Sequence, residues 1–428
     1  MTEKTPHFNT IIVGSGPAGL GAAFHLAVSG GHSVLIVEKK QVSSGGLRND
    51  CKQNYTYPVG FPTALWDERE ATELLIEVAG ILKPEYQSRT NIARYVTRAA
   101  RLGAKLLEIR QAHVGTDKAV DLIHGLIERL RRMDVTVALQ TEAIGIDHDN
   151  HRLWVNHAPG AYEYNNLILA PGRGGFAWLQ NCMSGLGIDY VDNVVDVGIR
   201  VETRERNYPI VRDYYDPKIL FPNGVRTFCT NSRAAYVVRE RYQTYYSVNG
   251  HSFSSAHEPN GLVNFAMLKT IGLTDPVAAG QQFGRILGEM AMNLAGGKPM
   301  MQRVGDFRLG KRSKRETFNE DLYDFAPTLA SATPGDISLA VPGKILRDIW
   351  RALKMLDTIV PGVLHPSTIL YYPEIKTYAN RPAFIDEYFR VKNDLYMIGD
   401  GAGTSRGITA AWASGIRAAK GILAERKV

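Results

Sequence analysis

The stretch from Ile11 to Lys39, IIVGSGPAGLGAAFHLAVSGGHSVLIVEK, most constrains what this chain can fold into. It reads as an apolar strand, a glycine turn, a helix, a second apolar strand and then an acid. Gly14, Gly16 and Gly19 occupy the three glycine places of a G-x-G-x-x-G turn, and each has a physical job. Gly14 makes the tight exit from the strand, Gly16 lets backbone approach a pyrophosphate, and Gly19 lets the helix pack close to the sheet. Pro17 and Ala18 open the helix, whose free N–H groups and positive dipole end suit phosphate. Glu38, with Lys39 beside it, ends the second strand. Its carboxylate is placed to accept ribose hydroxyls and to repel a 2′-phosphate. The segment predicts a βαβ unit that binds a dinucleotide.

Composition narrows the surroundings. The chain has 428 residues, enough for two or three domains, with 44% apolar and 22% charged residues, the balance of a globular protein. Three cysteines, Cys51, Cys182 and Cys229, are too few and too scattered for a disulfide framework or a zinc site. The polar N-terminus MTEKTPHFNT has no signal-peptide core, and glycine and proline break the apolar run after it, so a cytoplasmic chain is expected. A net charge of +7 suits anionic ligands but is too mild to argue for nucleic acid. Neither nucleic acid nor a membrane is expected as a partner, and no histidine spacing suggests a metal.

Three further segments choose among dinucleotides. In SSGGLRND (43–50), Gly45 and Gly46 let a loop lie flat on a pyrophosphate, with Leu47 behind it and Arg48 to neutralise charge. In residues 136–172, short alternating strands end in an apolar run at Ala170-Pro171-Gly172, and backbone near Ala143 would face an adenine. In residues 394–423 a strand ends at Gly399-Asp400, a glycine turn follows, and an Ala-rich helix begins around Gly407, Ile408 and Thr409. An acid there can bind a ribityl hydroxyl, and the helix dipole can favour negative charge on a flavin. A C-terminal segment returning to an N-terminal βαβ unit is what a bipartite FAD domain needs, so non-covalent FAD is the expected cofactor.

These segments resemble, in order along nearly the whole chain, a family of FAD-dependent dehydrogenases known chiefly from genomes, within the glutathione-reductase-like flavoprotein fold. Besides the glycine turn and Gly45-Gly46, the resemblance rests on His113-Val114-Gly115-Thr116-Asp117, VGDFRLGKRS (304–313), ATPGDISLAVP (332–342), YYPEIKTY (371–378) and GDGAG (399–403). It implies a flavin enzyme and names no substrate. In the resembling family a second Cys and a Pro-Gly-Gly turn follow Phe-Cys. Here Phe228-Cys229 runs into Thr230-Asn231-Ser232-Arg233, which leaves no dithiol relay.

The expected fold class is α/β. A discontinuous Rossmann-type FAD-binding domain covers 1–65, 120–176 and 394–428, a helical insertion covers 66–119, and a mixed α+β substrate domain covers 177–393. Within that last domain, 190–205 alternates as a strand, 236–253 reads as a hairpin closed at Asn249-Gly250, and 343–362 reads as an amphipathic helix. Only one nucleotide fingerprint exists, which argues against a separate NAD(P)H domain.

Candidates for the chemistry are fewer. The basic run 303–315 offers Arg308, Lys311 and Arg312 as anchors for a substrate carboxylate or phosphate, against the alternative of a solvated loop. His113 is a candidate general base beside a helix start that Thr116 or Asp117 would cap. Tyr242, Tyr245 and Tyr246 line a pocket or form a packing face. The reading is an FAD-dependent oxidoreductase that transfers a hydride between a small organic substrate and flavin N5, dehydrogenating or saturating a C–C or C–N bond. A monooxygenase or reductase driven by transient NAD(P)H, and a non-catalytic flavin-binding protein, are the alternatives.

Overall fold

The computed structural model describes residues 5–41, 45–48, 51–242, 244–254, 257–273, 279–319 and 324–425. The chain forms two compact units. Unit 1 comprises Met1–Glu85, Ile109–Asn193 and Tyr378–Val428; unit 2 comprises Tyr86–Glu108 and Val194–Thr377. The helical stretch 66–119 is divided between them.

Unit 1 is built on a sheet whose parallel strands are β1 (His7–Val13), β2 (Val34–Val37), β3 (Thr136–Ala138), β4 (Ala161–Leu169) and β5 (Leu395–Met397), in the spatial order β5-β4-β1-β2-β3. Parallel strands buried on both faces need unbroken apolar runs, and Val34–Val37 is fully buried for that reason. Strand Arg390–Lys392 extends the β5 edge, and hairpin Ala143–Asp147/Arg152–Val155 pairs antiparallel with β4. Helices α1 (Pro17–Val28), α2 (Glu68–Leu82), α3 (Ala119–Arg131) and α4 (Ile408–Glu425) belong to the same unit. Asp67 caps α2 by accepting from the backbone N–H of Arg69 and Glu70. Lys118, not Thr116 or Asp117, takes the N-cap position of α3, and its own side chain makes no capping hydrogen bond.

α1 and α4 lie backbone to backbone. A Cβ on Gly21 would overlap the carbonyl oxygen of Trp412, and one on Gly415 would overlap that of Ala18. Phe24 stacks on Trp412 at 5.7 Å, and Arg417 lies 4.0 Å over the Trp66 ring while its Nε donates to Glu70 at 2.6 Å.

Unit 2 has its own eight-stranded sheet, almost wholly antiparallel, with Val195–Arg204 at its centre between Leu262–Ile271 and Ile369–Thr377. The central strand alternates, and both of its faces are buried. Val195, Val197, Ile199 and Val201 pack in one apolar cluster with residues of helices Gly280–Leu294 and Gly343–Ile359. Asp196, Arg200 and Glu202 occupy the opposite face and are fully buried as well. Such groups are tolerated there because Asp196 and Arg200 have opposite charges beside them, Arg226 and Glu374, and Glu202 accepts hydrogen bonds. Arg200 forms a two-pronged pair with Glu374 at 2.7 and 2.8 Å and donates to Asn264 and to the carbonyl of Cys229. Burial works against the Arg200 charge, and Glu374 more than restores it. Burial raises the Glu202 carboxyl, although Thr328 and Tyr371 both donate to it.

A hairpin lies against this polar face, but it is not closed where the sequence suggested. Its strands are Ala235–Arg241 and Tyr246–Ser252, and Asn249-Gly250 sits inside the second one, opposite Val238 and Val237. Two contacts override the turn propensity. Asn249 donates to Glu240, and Gly250 leaves room for Arg200, Asn231 and Asn264, which a Cβ would overlap. The turn is closed instead by Tyr242 and Tyr245, whose rings stack at 5.0 Å and 2°.

Arg200→Met removes the two-pronged partner of buried Glu374, leaving it Lys376 at 3.4 Å, and should cost about 3 kcal/mol of unfolding free energy. Arg200→Met/Glu374→Leu should recover most of that loss, as read by chemical denaturation. Glu202 binds its proton more tightly in the folded state, so its contribution falls as pH rises from the ordinary carboxylate value through the raised one. Thermal melts across that window should therefore show Glu202→Gln gaining on wild type with rising pH, then holding level.

Candidate functional site

The glycine turn of unit 1 has the geometry its sequence requires. Gly14 has φ +104°, and a Cβ there would overlap the carbonyl oxygen of Ala170. A Cβ on Gly19 would overlap the carbonyl of Gly14. The first helical bond of α1 runs from Leu20 N–H to Gly16 O at 2.9 Å, so the N–H groups of Ala18 and Gly19 are left for another acceptor. No acid lies in that first turn, and Pro17 takes the N1 position, where no N–H is needed.

Glu38 is tied directly to the turn. It accepts from the Ser15 backbone N–H at 3.0 Å, from Ser15 Oγ at 2.6 Å and from Lys40 N–H at 2.9 Å. Around it, Gly14 N–H donates to Val37 O, Glu38 N–H to Ala138 O and Thr141 N–H to Glu38 O. Turn, acid and the approach to Ala143 are thus locked into one rim at the ends of β1, β2 and β3. Ala143 is buried at the start of its strand, and Lys39 is exposed, 3.9 Å from Glu142. Gly45, Gly46, Leu47 and Arg48 form a short 3-10 turn in which Leu47 is fully buried and Arg48 exposed. Residues 43, 44, 49 and 50 of that segment lie outside the described residues.

The C-terminal half joins the same edge of the sheet. Ala170 N–H donates to Val13 O and Ile398 N–H to Leu169 O, which sets the ends of β1, β4 and β5 side by side. Gly399, at φ +80°, is held by Thr404 Oγ1 at 2.8 Å and Ser414 Oγ at 3.1 Å. Asp400 accepts from Ser405 Oγ at 2.9 Å and from Gly407 N–H at 3.1 Å. Burial raises its carboxyl, against the pull of Arg173 and these two bonds. Ala411 N–H makes the first i→i−4 bond of α4 to Gly407 O, so Ile408, Thr409 and Ala410 present first-turn N–H groups. The packing of α1 on α4 holds two such helix starts in one unit.

The residues named from sequence for the cofactor therefore all fall in unit 1. His113 also lies there, half-buried at the end of a short strand opposite Lys52. Arg308, Lys311 and Arg312 lie in unit 2 and are exposed. The supports were not legible. Ser15, Thr404, Ser405 and Ser414 act by fixing Glu38, Gly399 and Asp400, and serine or threonine near a glycine turn is too common to single out. Trp66 was missed too, although its Nε1 donates to Thr404 O at 2.7 Å across most of the chain length.

A glycine turn with no room for a Cβ at Gly14 or Gly19, an acid fixed beside it and a second helix start fit a two-part dinucleotide, and the class follows: an FAD-dependent oxidoreductase. Residues 8–197 match the family described as pyridine nucleotide-disulphide oxidoreductase. A comparison with curated protein sequences finds no match. Among solved structures, L-proline dehydrogenase from P. horikoshii is 13% identical with a TM-score of 0.47, covering 99% of this chain and 95% of that one. Glycine oxidase from Bacillus cereus is 14% identical with a TM-score of 0.42, covering 98% and 95%. The p-nitrophenol 4-monooxygenase from Pseudomonas putida is 12% identical with a TM-score of 0.43, covering 99% and 81%. No disulfide joins Cys51, Cys182 and Cys229, and burial pushes the Cys182 thiol up to about 11.

Gly14→Ala should abolish FAD retention, because the backbone conformation and the Ala170 carbonyl both exclude a side chain. Glu38→Ala should weaken FAD by about 1.5–3 kcal/mol, the worth of hydrogen bonds to a charged group. Flavin absorbance per protein and calorimetric titration of the apoprotein with FAD would measure both.

Proposed function

We propose that the enzyme transfers a hydride between a small organic substrate and flavin N5, dehydrogenating or saturating a C–C or C–N bond. FAD supplies two-electron hydride chemistry when bound. In this reading Gly14, Gly16 and the start of α1 hold the pyrophosphate, and Glu38 takes the ribose hydroxyls. Gly45, Gly46 and Arg48 lie along the pyrophosphate, and backbone at Ala143 meets the adenine. Asp400, fixed by Ser405 and Gly407, takes a ribityl hydroxyl. The start of α4 gives a positive dipole end that favours negative charge on the ring.

The observation that carries the reading is the composition of unit 1. One glycine turn and one returning Gly399-Asp400 segment share a single parallel sheet, and the chain contains no second nucleotide fingerprint. One fingerprint joined to one returning segment supports FAD as the resident cofactor and favours the organic substrate as the hydride partner. No disulfide joins the three cysteines, and the Phe228-Cys229 stretch lacks a second Cys, which favours no dithiol relay.

The test is an anaerobic absorption spectrum of the flavin-loaded enzyme. Bleaching by an amine, amino acid or other small reductant from a metabolite screen, without bleaching by NADH or NADPH, is the expected result. Rapid bleaching by either nicotinamide would overturn it in favour of a reductase or monooxygenase. Cys229→Ser should leave flavin content and bleaching rate unchanged. Asp400→Ala should lower flavin content while the apoprotein still melts cooperatively.

A further inference from the structure

The basic run singled out in the sequence belongs to a larger surface of unit 2. Helix Gly343–Ile359 is amphipathic: Ile345, Ile349, Leu353 and Leu356 are buried, whereas Lys344, Arg347, Arg351 and Lys354 are exposed. Steps of three, four and three residues put those four cations in one stripe. The loop after the short helix Val304–Arg308 exposes Arg308, Lys311, Arg312, Lys314 and Arg315. Two links join loop and helix. Phe307 packs on Trp350 with ring centroids 4.9 Å apart. Gln302 bridges Lys311 O and Ile337 N–H at 2.8 and 3.0 Å, and the chain from Ile337 leads directly into the helix.

None of the nine cations forms an ion pair among the described residues. The acids around them are engaged elsewhere. Asp306 accepts from Ser313, Asp336 from Ser338 N–H, Asp348 pairs with Lys269, and Asp357 accepts from the backbone of Gly362 and Leu364. In the loop, Glu316 is the one exposed acid. Two apolar side chains stand out among these charges, Leu309 at 69% exposure and Leu339 at 67%. Each ends a turn pinned by backbone bonds, Leu309 N–H to Asp306 O and Leu339 N–H to Asp336 O, so both tips have a fixed presentation.

We propose that this face docks on an anionic membrane surface. The cation stripe and basic loop engage lipid headgroups, and Leu309 and Leu339 dip into the acyl boundary. Charge alone would serve an acidic protein or a nucleic acid equally well. The leucines decide it, because a phosphate backbone offers nothing to an apolar tip, and Phe307 and Trp350 are spent on each other and not displayed for stacking. Attachment is peripheral: among the described residues no helix is long and apolar enough to cross a bilayer.

The test floats the full-length, FAD-loaded protein with vesicles of phosphatidylcholine, alone or with a third phosphatidylglycerol. Wild type should float with the anionic vesicles and stay behind with the neutral ones. Leu309→Ser/Leu339→Ser, which removes no charge and disturbs no core residue, should bind roughly tenfold more weakly at equal salt. Lys344→Ser/Arg347→Ser/Arg351→Ser/Lys354→Ser should not float. Absence of wild-type flotation at low salt would overturn the proposal. So would a leucine variant that binds as wild type does, because adsorption would then be charge-only and point to an acidic macromolecule. The leucine pair keeps the test decisive even if the fourfold variant fails to fold.

Discussion

The backbone contact between α1 and α4 is the constraint on which the rest of unit 1 depends. Gly21 against the Trp412 carbonyl and Gly415 against the Ala18 carbonyl allow two helices to touch without intervening side chains. Their N-termini follow Gly16 and Gly407, the exits from β1 and from the β5 turn, and close packing fixes both at one edge of one sheet. Ala18 lies at the crossing of these demands. It opens α1 beside the glycine turn, its carbonyl faces Gly415, and its methyl group lies where a Cβ on Gly399 would come to 2.9 Å. Small residues here serve proximity more than flexibility.

Much of this was legible because it depends on local chemistry. The glycine turn, the apolar runs of β1 and β2, and Glu38 form a pattern in which each residue type has one physical reason. The returning Gly399-Asp400 segment is legible for the same reason. Long-range support was not. Trp66 bonds to Thr404, and Arg417 reaches Glu70 and the Leu65 carbonyl, partners hundreds of residues away with no local signature. Asn249-Gly250 shows the converse failure. The pair has the chemistry of a turn, but tertiary packing overrides it and uses that glycine to clear Arg200, Asn231 and Asn264.

Unit 2 departs from the ordinary division of a sheet into a wet face and a dry one. Its central strand is buried on both sides, with aliphatic residues on one and Asp196, Arg200 and Glu202 on the other. The alternation in VDVGIRVETR is visible in the sequence, but it signals a half-exposed strand as readily as a buried polar layer. Only the partners distinguish the two, and Glu374, Asn264, Thr328 and Tyr371 come from other strands and loops. Such a layer tolerates one arrangement and penalises the rest, because a slipped register would leave charges unpaired.

The order of the sheet in unit 1 has a consequence for how the protein is made. β5 and α4 complete a surface begun by β1 and α1, yet they come from the far end of the 428-residue sequence. At roughly 5–20 residues per second, tens of seconds of translation separate the two. During that interval the nascent glycine turn has no β5 beside β4, and α1 has no helix to cover its small-residue face. Any ligand site that draws on both segments is therefore complete only once β5 and α4 have been made.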